Sequence, residues 1–173
     1  MLIKLQESHK HVLELSRVDP LTGLLNRRGL YEAIKQPINY CKRRHNGWSV
    51  VIMDIDYFKN VNDTYGHDVG DEVIEKIGHL IRNMLRKSDI ASRWGGEEFL
   101  LFLPDSNVKT ACHIADKILR AVHEERITSK DIHITLSSGC AEAGENESFS
   151  DVLKRADKKL FEAKEQGRNQ NVR

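Results

Sequence analysis

The sequence predicts an α/β sandwich in which helices flank a mixed, mainly antiparallel five-stranded sheet. Apolar runs typical of buried strands alternate along the chain with segments whose apolar residues recur at helical spacing. A diglycine at 95–96, the residue type least restricted in φ, separates two strand-like runs and predicts a hairpin. With 173 residues, 39% of them hydrophobic, the chain has material for one core. We therefore expect one domain at residues 19–173, preceded by a linker helix at 1–18.

The N-terminal segment, residues 2–16, carries leucine and valine at helical spacing. A helix this short is marginal in water by itself, so it is expected to pack against a partner. Two interpretations have equal weight. It is either the end of a coiled-coil stalk that connects an upstream sensor to the domain, or a helix packed on its own core.

The next segments predict a turn, a helix and a strand. Residues 19–28 are rich in turn formers, because Pro20 fixes its own φ and restricts the residue before it. A helix is expected over 27–45, with Pro37 bending or splitting it. Residues 48–55 form a nearly continuous apolar run, which is typical of a strand buried on both faces.

The remainder of the chain continues the alternation of strands and helices. Helical spacing, cap residues and β-rich runs each define an element. The expected elements are a helix at 70–86, hairpin strands at 90–93 and 98–103, a helix at 107–125, a strand at 131–141, and a helix at 148–166 followed by Gly167 as its C′ residue.

Composition excludes several classes of protein. The net charge of +1 provides no overall field for nucleic acid or a membrane surface. Three widely spaced cysteines without a Cys-x-x-Cys motif predict reduced thiols in the core, not a disulfide framework. Metal-binding His motifs and a phosphate-binding P-loop motif are both missing from the sequence. No apolar run approaches the ~20 residues that span a bilayer, so we expect a soluble, cytoplasmic domain.

Carboxylates mark the ends of two predicted strands. Asp54 and Asp56 close the run at 48–55, and Glu97 and Glu98 follow the diglycine. Neighbouring strands lie ~5 Å apart and can aim two carboxylates at one ion, so Asp54 and Glu97 are the expected ligands. Mg²⁺ takes one or two protein carboxylates and completes its shell with water and substrate phosphates. Strand alternation places Glu97 and Glu98 on opposite faces without deciding which one meets the metal, and Gly-Gly-Glu-Glu alone is equally typical of an exposed hairpin tip.

Taken with Asp54-Ile55-Asp56-x-Phe58-Lys59, the hairpin resembles the signature of the GGDEF family, the diguanylate cyclases. Gly-Gly-Glu-Glu-Phe is an accepted form of that signature, and the similarity runs from Asp19 nearly to the C-terminus. The resemblance implies a nucleotide-cyclase or polymerase-palm fold, Mg²⁺ or Mn²⁺ as cofactor, GTP as substrate and cyclic di-GMP as product. The roles it implies are metal binding by Asp54, the Ile55 carbonyl and Glu97, base chemistry at Glu97, further active-site roles for Glu98 and Lys59, substrate binding by Gly95 and Gly96, and a structural role for Asp56.

Guanine selection requires an acceptor for N1–H and the exocyclic amine and a donor to O6 or N7. Asp71 and Asn62 supply that pair, and they occupy the guanine-contacting positions of the family. The structural alternatives are a turn role for Asn62 and a first-turn position for Asp71, where an acid gains ~0.3 to 1 kcal/mol from the helix dipole. Since one domain presents one nucleotide and the product contains two, catalysis requires a homodimer, most simply with C₂ symmetry.

Two further pairs of charged residues have both a structural and a functional interpretation. Lys164 and Arg168 lie four apart at the end of the last helix, where positive charge is favourable in any protein. The resemblance makes them contacts to the GTP phosphates. Arg86 and Asp89 would form an i,i+3 pair on a helix. The resemblance makes them the Arg-x-x-Asp site at which the product inhibits the enzyme.

Alternative functions remain within the same family. A non-catalytic GGDEF domain would act as a receptor module for GTP or cyclic di-GMP, and a cyclase with relaxed base selection would make a mixed purine dinucleotide. A pure scaffold explains none of the carboxylates. Retention of the diglycine and of Asp54, Glu97 and Glu98 favours catalysis.

Overall fold

The computed structural model describes residues 17–125 and 132–173. The helix expected over 2–16 and the first residue of the strand expected over 131–141 lie outside these ranges. Within them, no helix is both long enough and apolar enough to cross a membrane.

The described ranges form helices and strands in an alternating order. In chain order they are α1 (Arg27–Ala33), α2 (Lys35–Arg44), β1 (Trp48–Ile55), α3 (Phe58–Tyr65), α4 (His67–Met84), β2 (Ile90–Arg93), β3 (Glu98–Pro104), α5 (Val108–Glu124), β4 (Leu136–Glu142), α6 (Phe149–Glu165) and β5 (Asn171–Val172).

The strands build one sheet in the order β2-β3-β1-β4-β5. The β1–β3, β1–β4 and β2–β3 pairs are antiparallel, whereas β4 and β5 are parallel. The prediction of a mixed, mainly antiparallel five-stranded sheet is therefore confirmed. Every residue of the central strand β1 is buried, as its continuous apolar run predicted.

Alternate residues of β1 enter two separate cores. Val51, Met53 and Ile55 pack with apolar side chains of α4 and α5 on one face. Val50 and Ile52 pack with α1, α2 and α6 on the other face. Because side chains of a strand alternate between faces, Asp54 continues the row of Val50 and Ile52 towards α6.

The helix expected over 27–45 is split, but at Ile34 instead of Pro37. Ile34 is the C-cap of α1 and the N-cap of α2. Pro37 lies in the first turn of α2, where the missing N–H of proline breaks no intrahelical hydrogen bond. The proline therefore helps to begin the second helix and does not break the first.

Other boundaries and two elements also differ from expectation. Residues 132–135 are not in a strand, so β4 begins at Leu136, later than predicted. Helix α4 begins at His67, three residues before the expected start. The short helix α3 and the two-residue strand β5 were not predicted, because neither is long enough to show a period of its own.

Candidate active site

Strand pairing brings the predicted acidic residues together at the end of β1. Asp54 lies opposite Glu98 in the register of β1 and β3, so their side chains share a face of the sheet. The backbone N–H of Ile55 donates to the carbonyl of Glu97 over 3.3 Å. The diglycine hairpin thus places both glutamates beside the end of the central strand.

All three carboxyl groups resist ionisation in this position. Burial raises the pKa of Asp54, and the hydrogen bond and charge of Lys164 only partly oppose this. Burial, followed by the charge of Asp54, raises the pKa of Glu97 and of Glu98. Since Glu97 precedes β3, strand alternation does not separate the two glutamates, and both carboxylates repel Asp54. The site therefore concentrates negative charge that the protein does not fully compensate.

These donors have the chemistry of a magnesium site completed by a substrate. Among residues 17–125 and 132–173, no group of three or more His, Cys, Asp or Glu side chains is arranged to hold a metal by itself. Mg²⁺ does not require such a cage, because water and phosphate oxygens fill most of its shell. Asp54 and Glu97, together with the carbonyl at the end of β1, fit a cation that arrives with a triphosphate.

Position 95 requires glycine because the hairpin leaves no room there for a side chain, and not because of its φ angle. Neither Gly95 nor Gly96 has a positive φ, so the expectation based on conformational freedom was wrong. A Cβ atom at Gly95 would lie 2.7 Å from Oε2 of Glu98. The missing side chain leaves room for this carboxylate, and the hairpin closes through a 2.7 Å hydrogen bond from the Trp94 N–H to the Glu98 carbonyl.

Lys164 and Arg168 reach the carboxylates by different routes. Nζ of Lys164, on the last turn of α6, forms a 2.9 Å ion pair with Oδ1 of Asp54. Helix α6 ends at Glu165, and Arg168 follows it with a left-handed φ of 64°. Arg168 thus lies beyond the helix, as the prediction of Gly167 as its C′ residue required, and both cations act on Asp54. The Arg168 guanidinium lies over the ring of Tyr57, 4.6 Å from its centroid, and its charge lowers the pKa of Asp54.

Asp56 fixes the segment that carries Arg168. The hydroxyls of Thr135 and Ser137 each donate to its carboxylate over 2.7 Å, and the Asn169 N–H donates over 3.1 Å. The carboxylate is buried and fully engaged. This contact ties the residues after Gly167 to the end of β1. The sequence analysis did not identify Tyr57 as the partner of Arg168. The only signal that could have suggested this contact is an aromatic residue next to Asp56 in the acidic motif.

The guanine candidates lie on two consecutive helices. Asn62 is partly buried on α3, and Asp71 is exposed on α4. Asp71 is the fifth residue of α4, so the alternative that it is a first-turn acid was wrong, and Asp68 occupies that position. Lys59 is exposed on the first turn of α3, and no ion pair found within the described ranges includes it.

Arg86 and Asp89 form a turn beyond the end of α4. Asp89 Oδ2 accepts from the Arg86 N–H over 2.9 Å, and the Asp89 N–H donates to the Arg86 carbonyl over 3.1 Å. The alternative of an i,i+3 side-chain pair on a helix was therefore wrong. The turn borders a cavity of about 440 Å³ that is also lined by Gly23 and Leu24. This cavity, beside the exposed Arg86, is not lined by Asp54, Glu97 or Glu98.

Residues 16–170 match the family described as "Diguanylate cyclase, GGDEF domain". The chain belongs to this family. The recognition of the GGDEF family from the motifs is thus confirmed.

Relatives and solved structures agree with this assignment. Diguanylate cyclase A of Treponema denticola is 34% identical over 168 residues, which are 94% of this chain and 45% of the relative. The chain therefore spans less than half the length of that curated relative. The active GGEEF domain of a diguanylate cyclase from Vibrio cholerae has a TM-score of 0.81 at 33% identity, covering 86% of this chain and 96% of that one.

A third similar structure contains a coiled coil in addition to its GGDEF domain. The coiled coil and GGDEF domain of DgcB from Caulobacter crescentus, solved in complex with c-di-GMP, has a TM-score of 0.86 at 28% identity. The similarity covers 99% of this chain and 92% of that one. These structures confirm the predicted cyclase-like fold of the GGDEF domain.

Proposed function

We propose that this protein is a diguanylate cyclase, which condenses two GTP molecules into cyclic di-GMP and releases two pyrophosphates. The observation that carries the proposal is the convergence of Asp54, Glu97 and Glu98, each with a raised pKa, at the end of β1. Membership of the GGDEF family and the named cyclases among its relatives support the choice of reaction.

The chemistry requires each 3′-hydroxyl to attack the α-phosphorus of the other nucleotide. Such transfers depend mainly on positioning and on stabilising charge on oxygen. A divalent cation held by Asp54, Glu97 and the Ile55 carbonyl would neutralise phosphate charge and favour the ionised hydroxyl. We assign the role of proton acceptor to Glu97, and the rise that burial produces in its pKa supports this choice. Glu98 holds a second carboxylate at the same edge.

Lys164 has two partners in this proposal. In the free domain its ammonium is paired with Asp54 at 2.9 Å. With a cation held by that carboxylate, Lys164 would be free to pair with a triphosphate oxygen. Arg168, stacked on Tyr57, adds a second charge to the same clamp. The site thus keeps its carboxylates partly neutralised until substrate arrives.

Active sites of two copies must face each other, so the working form is a homodimer. We assign residues 1–18 to a segment that connects an upstream sensor to the domain and promotes this pairing. The likeness to a chain that contains a coiled coil supports this assignment. Removal of residues before Arg17 should weaken dimerisation in analytical ultracentrifugation and lower specific activity at dilute protein, whereas equal activity at all concentrations would rule the assignment out.

Product inhibition is proposed at Arg86 and Asp89. The exposed guanidinium and the adjoining cavity of about 440 Å³ supply a cation and a concave surface for a guanine nucleotide. Arg86→Ala should make the enzyme insensitive to added cyclic di-GMP and leave its initial rate unchanged. Arg120→Ala is the matched control, since it removes an exposed arginine of α5 that does not line this cavity. Equal inhibition of wild type and Arg86→Ala would refute this site.

The reaction itself is tested by incubating purified protein with GTP and Mg²⁺ and separating the products by chromatography. Cyclic di-GMP formed by wild type and not by Glu97→Gln establishes the cyclase and excludes a contaminating enzyme. Binding of GTP or cyclic di-GMP without any product at high protein concentration would replace the proposal with a receptor module. Repeating the reaction with mixed ATP and GTP distinguishes a strict guanine cyclase from one that makes a mixed dinucleotide.

A further inference from the structure

Among the side chains of the described ranges, one buried polar atom lacks any hydrogen-bond partner, and it is Oδ1 of Asn62. Buried polar groups in folded proteins are nearly always paired. Leaving one unpaired costs about 1 to 3 kcal/mol, a substantial fraction of the stability of a domain. The placement of this amide therefore opposes folding and calls for a functional reason.

The unpaired oxygen lies directly against Gly70, on the first turn of α4. A Cβ atom at Gly70 would be 1.9 Å from Oδ1 of Asn62, 3.0 Å from its Cγ and 3.1 Å from the tip of the Phe58 ring. Gly70 has no positive φ, so its backbone would accept an alanine. Space beside Asn62, and not backbone conformation, is what requires glycine here.

Glycine within a helix is itself unfavourable by about 0.5 to 1 kcal/mol relative to alanine. Two destabilising features, the glycine and the unpaired oxygen, thus meet at one contact between α3 and α4. Their coincidence indicates that the geometry of the Asn62 amide is being held for a purpose other than stability.

With its oxygen turned against Gly70, the amide directs its nitrogen away from Gly70. No residue in the described part of the chain accepts a hydrogen bond from this Nδ2 atom, and Asn62 is only partly buried. The reverse orientation would bury two unpaired N–H donors instead of one acceptor. The next residue after Gly70 is Asp71, whose carboxylate is exposed. The Asn62 amide nitrogen on α3 and the Asp71 carboxylate on α4 therefore supply a donor and an acceptor on adjoining helices.

We propose that Gly70 sets the base specificity of the site by holding the Asn62 amide with its nitrogen towards the nucleobase. This inference rests on the proposed function and names its specificity-determining position. Guanine O6 accepts from the amide nitrogen, whereas adenine presents a donor at position 6; N7 is an acceptor in both bases and does not discriminate between them. Gly70 touches no substrate atom, so it is a positioning residue and not a catalytic one.

The test measures binding without turnover, with 3′-deoxy-GTP and 3′-deoxy-ATP as ligands and Mg²⁺ present. Both analogues lack the attacking hydroxyl and cannot be cyclised. Wild type should prefer the guanine analogue. Gly70→Ala should bind 3′-deoxy-GTP about tenfold more weakly, the effect of one lost hydrogen bond, with unchanged affinity for 3′-deoxy-ATP. Retention of the full guanine preference by Gly70→Ala would overturn the inference.

Asn62→Ala and the Asn62→Ala/Gly70→Ala double variant complete the cycle. Asn62→Ala should lose the same tenfold of guanine preference, with the contribution of Asp71 retained, and without a lower Tm, because it also removes the unpaired oxygen. In that background Gly70→Ala should leave the base preference unchanged and should no longer destabilise, since its collision partner is gone. If Gly70→Ala alone fails to fold, folding of the double variant supports the clash, and failure of both contradicts it.

The outcomes separate this inference from the proposed function. A wild-type protein with no guanine preference would overturn both. A wild type that makes cyclic di-GMP and prefers guanine, combined with additive effects of Asn62→Ala and Gly70→Ala, would leave the cyclase intact and remove the role of Gly70.

Discussion

Acidic residues in two regions that contact the diglycine hairpin have opposite electrostatic environments. In the turn at 19–25, the Asp19 carboxylate accepts hydrogen bonds from the Thr22 N–H, the Thr22 hydroxyl and the Arg93 guanidinium, at 2.9, 2.8 and 3.1 Å. Arg93 also donates to the Gly96 carbonyl over 2.8 Å. At the end of β1, by contrast, burial raises the pKa of Asp54, and burial together with the charge of Asp54 raises the pKa of both glutamates.

Asp19 thus stabilises the hairpin, whereas Asp54, Glu97 and Glu98 are acidic residues that the hairpin brings together. A carboxylate with all its hydrogen-bond partners stabilises the fold and holds the hairpin tip through Arg93. A carboxylate whose charge is uncompensated destabilises the free domain and is available to a ligand. Substitutions in the two regions should therefore change stability in opposite directions.

The largest effect is expected at the end of β1. Asp54→Asn should lower the rate of cyclic di-GMP formation by about 100-fold or more, because a ligand of the cation is lost. Its Tm should be no lower than that of wild type, because the substitution removes a charge that the folded domain disfavours. Activity assays and thermal unfolding of the same preparation give both numbers. A clearly lower Tm would show that Asp54 is mainly structural.

The turn should respond in the opposite sense. Asp19→Ala should destabilise the domain by about 2 to 3 kcal/mol, because it leaves Thr22 and the partly buried Arg93 without their acceptor. Urea unfolding measures this change. Glu32→Ala is the matched control, since the half-buried Glu32 pairs with two exposed arginines, Arg17 and Arg28, in contacts worth at most about 1 kcal/mol each. Equal losses in the two variants would remove the distinction between the regions.

The smallest effect is a pH dependence confined to the end of β1. A carboxyl with a raised pKa binds more protons in the folded state than in the unfolded state, so its ionisation penalty disappears as the pH falls through that raised value. The stability advantage of Asp54→Asn over wild type should therefore shrink between pH 7 and the ordinary carboxyl pKa values of 3.8 and 4.5. Urea unfolding of both proteins at several pH values checks this. A difference that is constant with pH would contradict the charge argument.

Sequence patterns predicted the parts of the site that lie on long apolar strands. The buried run of β1 and the hairpin placed Asp54, Ile55, Glu97 and Glu98 correctly at one edge, because register follows from burial and the turn. The position of Arg168 could not be predicted. It depends on a left-handed residue and on the contact between Asp56 and Asn169, which are far apart in the chain.

The remaining errors have a similar origin. Pro37 is the strongest local breaker in its segment, yet the helix divides at Ile34, a fully apolar core residue. Likewise, no local signal marks the collision between a side chain at Gly70 and the Asn62 amide, which is visible only once α3 and α4 are packed. Local periodicity and propensity therefore do not predict positions that are fixed by contacts between elements.

The central claim is that the cluster of Asp54, Glu97 and Glu98 binds a cation together with a nucleotide. Thermal unfolding tests this claim most directly. Wild type and Asp54→Asn are compared with Mg²⁺ alone, 3′-deoxy-GTP alone, and both. We predict that the combination raises the Tm of wild type well beyond either ligand alone, as expected for a ligand bound only by the folded state, and that Asp54→Asn loses this extra rise. An equal rise in the two proteins, or no added effect of Mg²⁺ on wild type, would contradict the account.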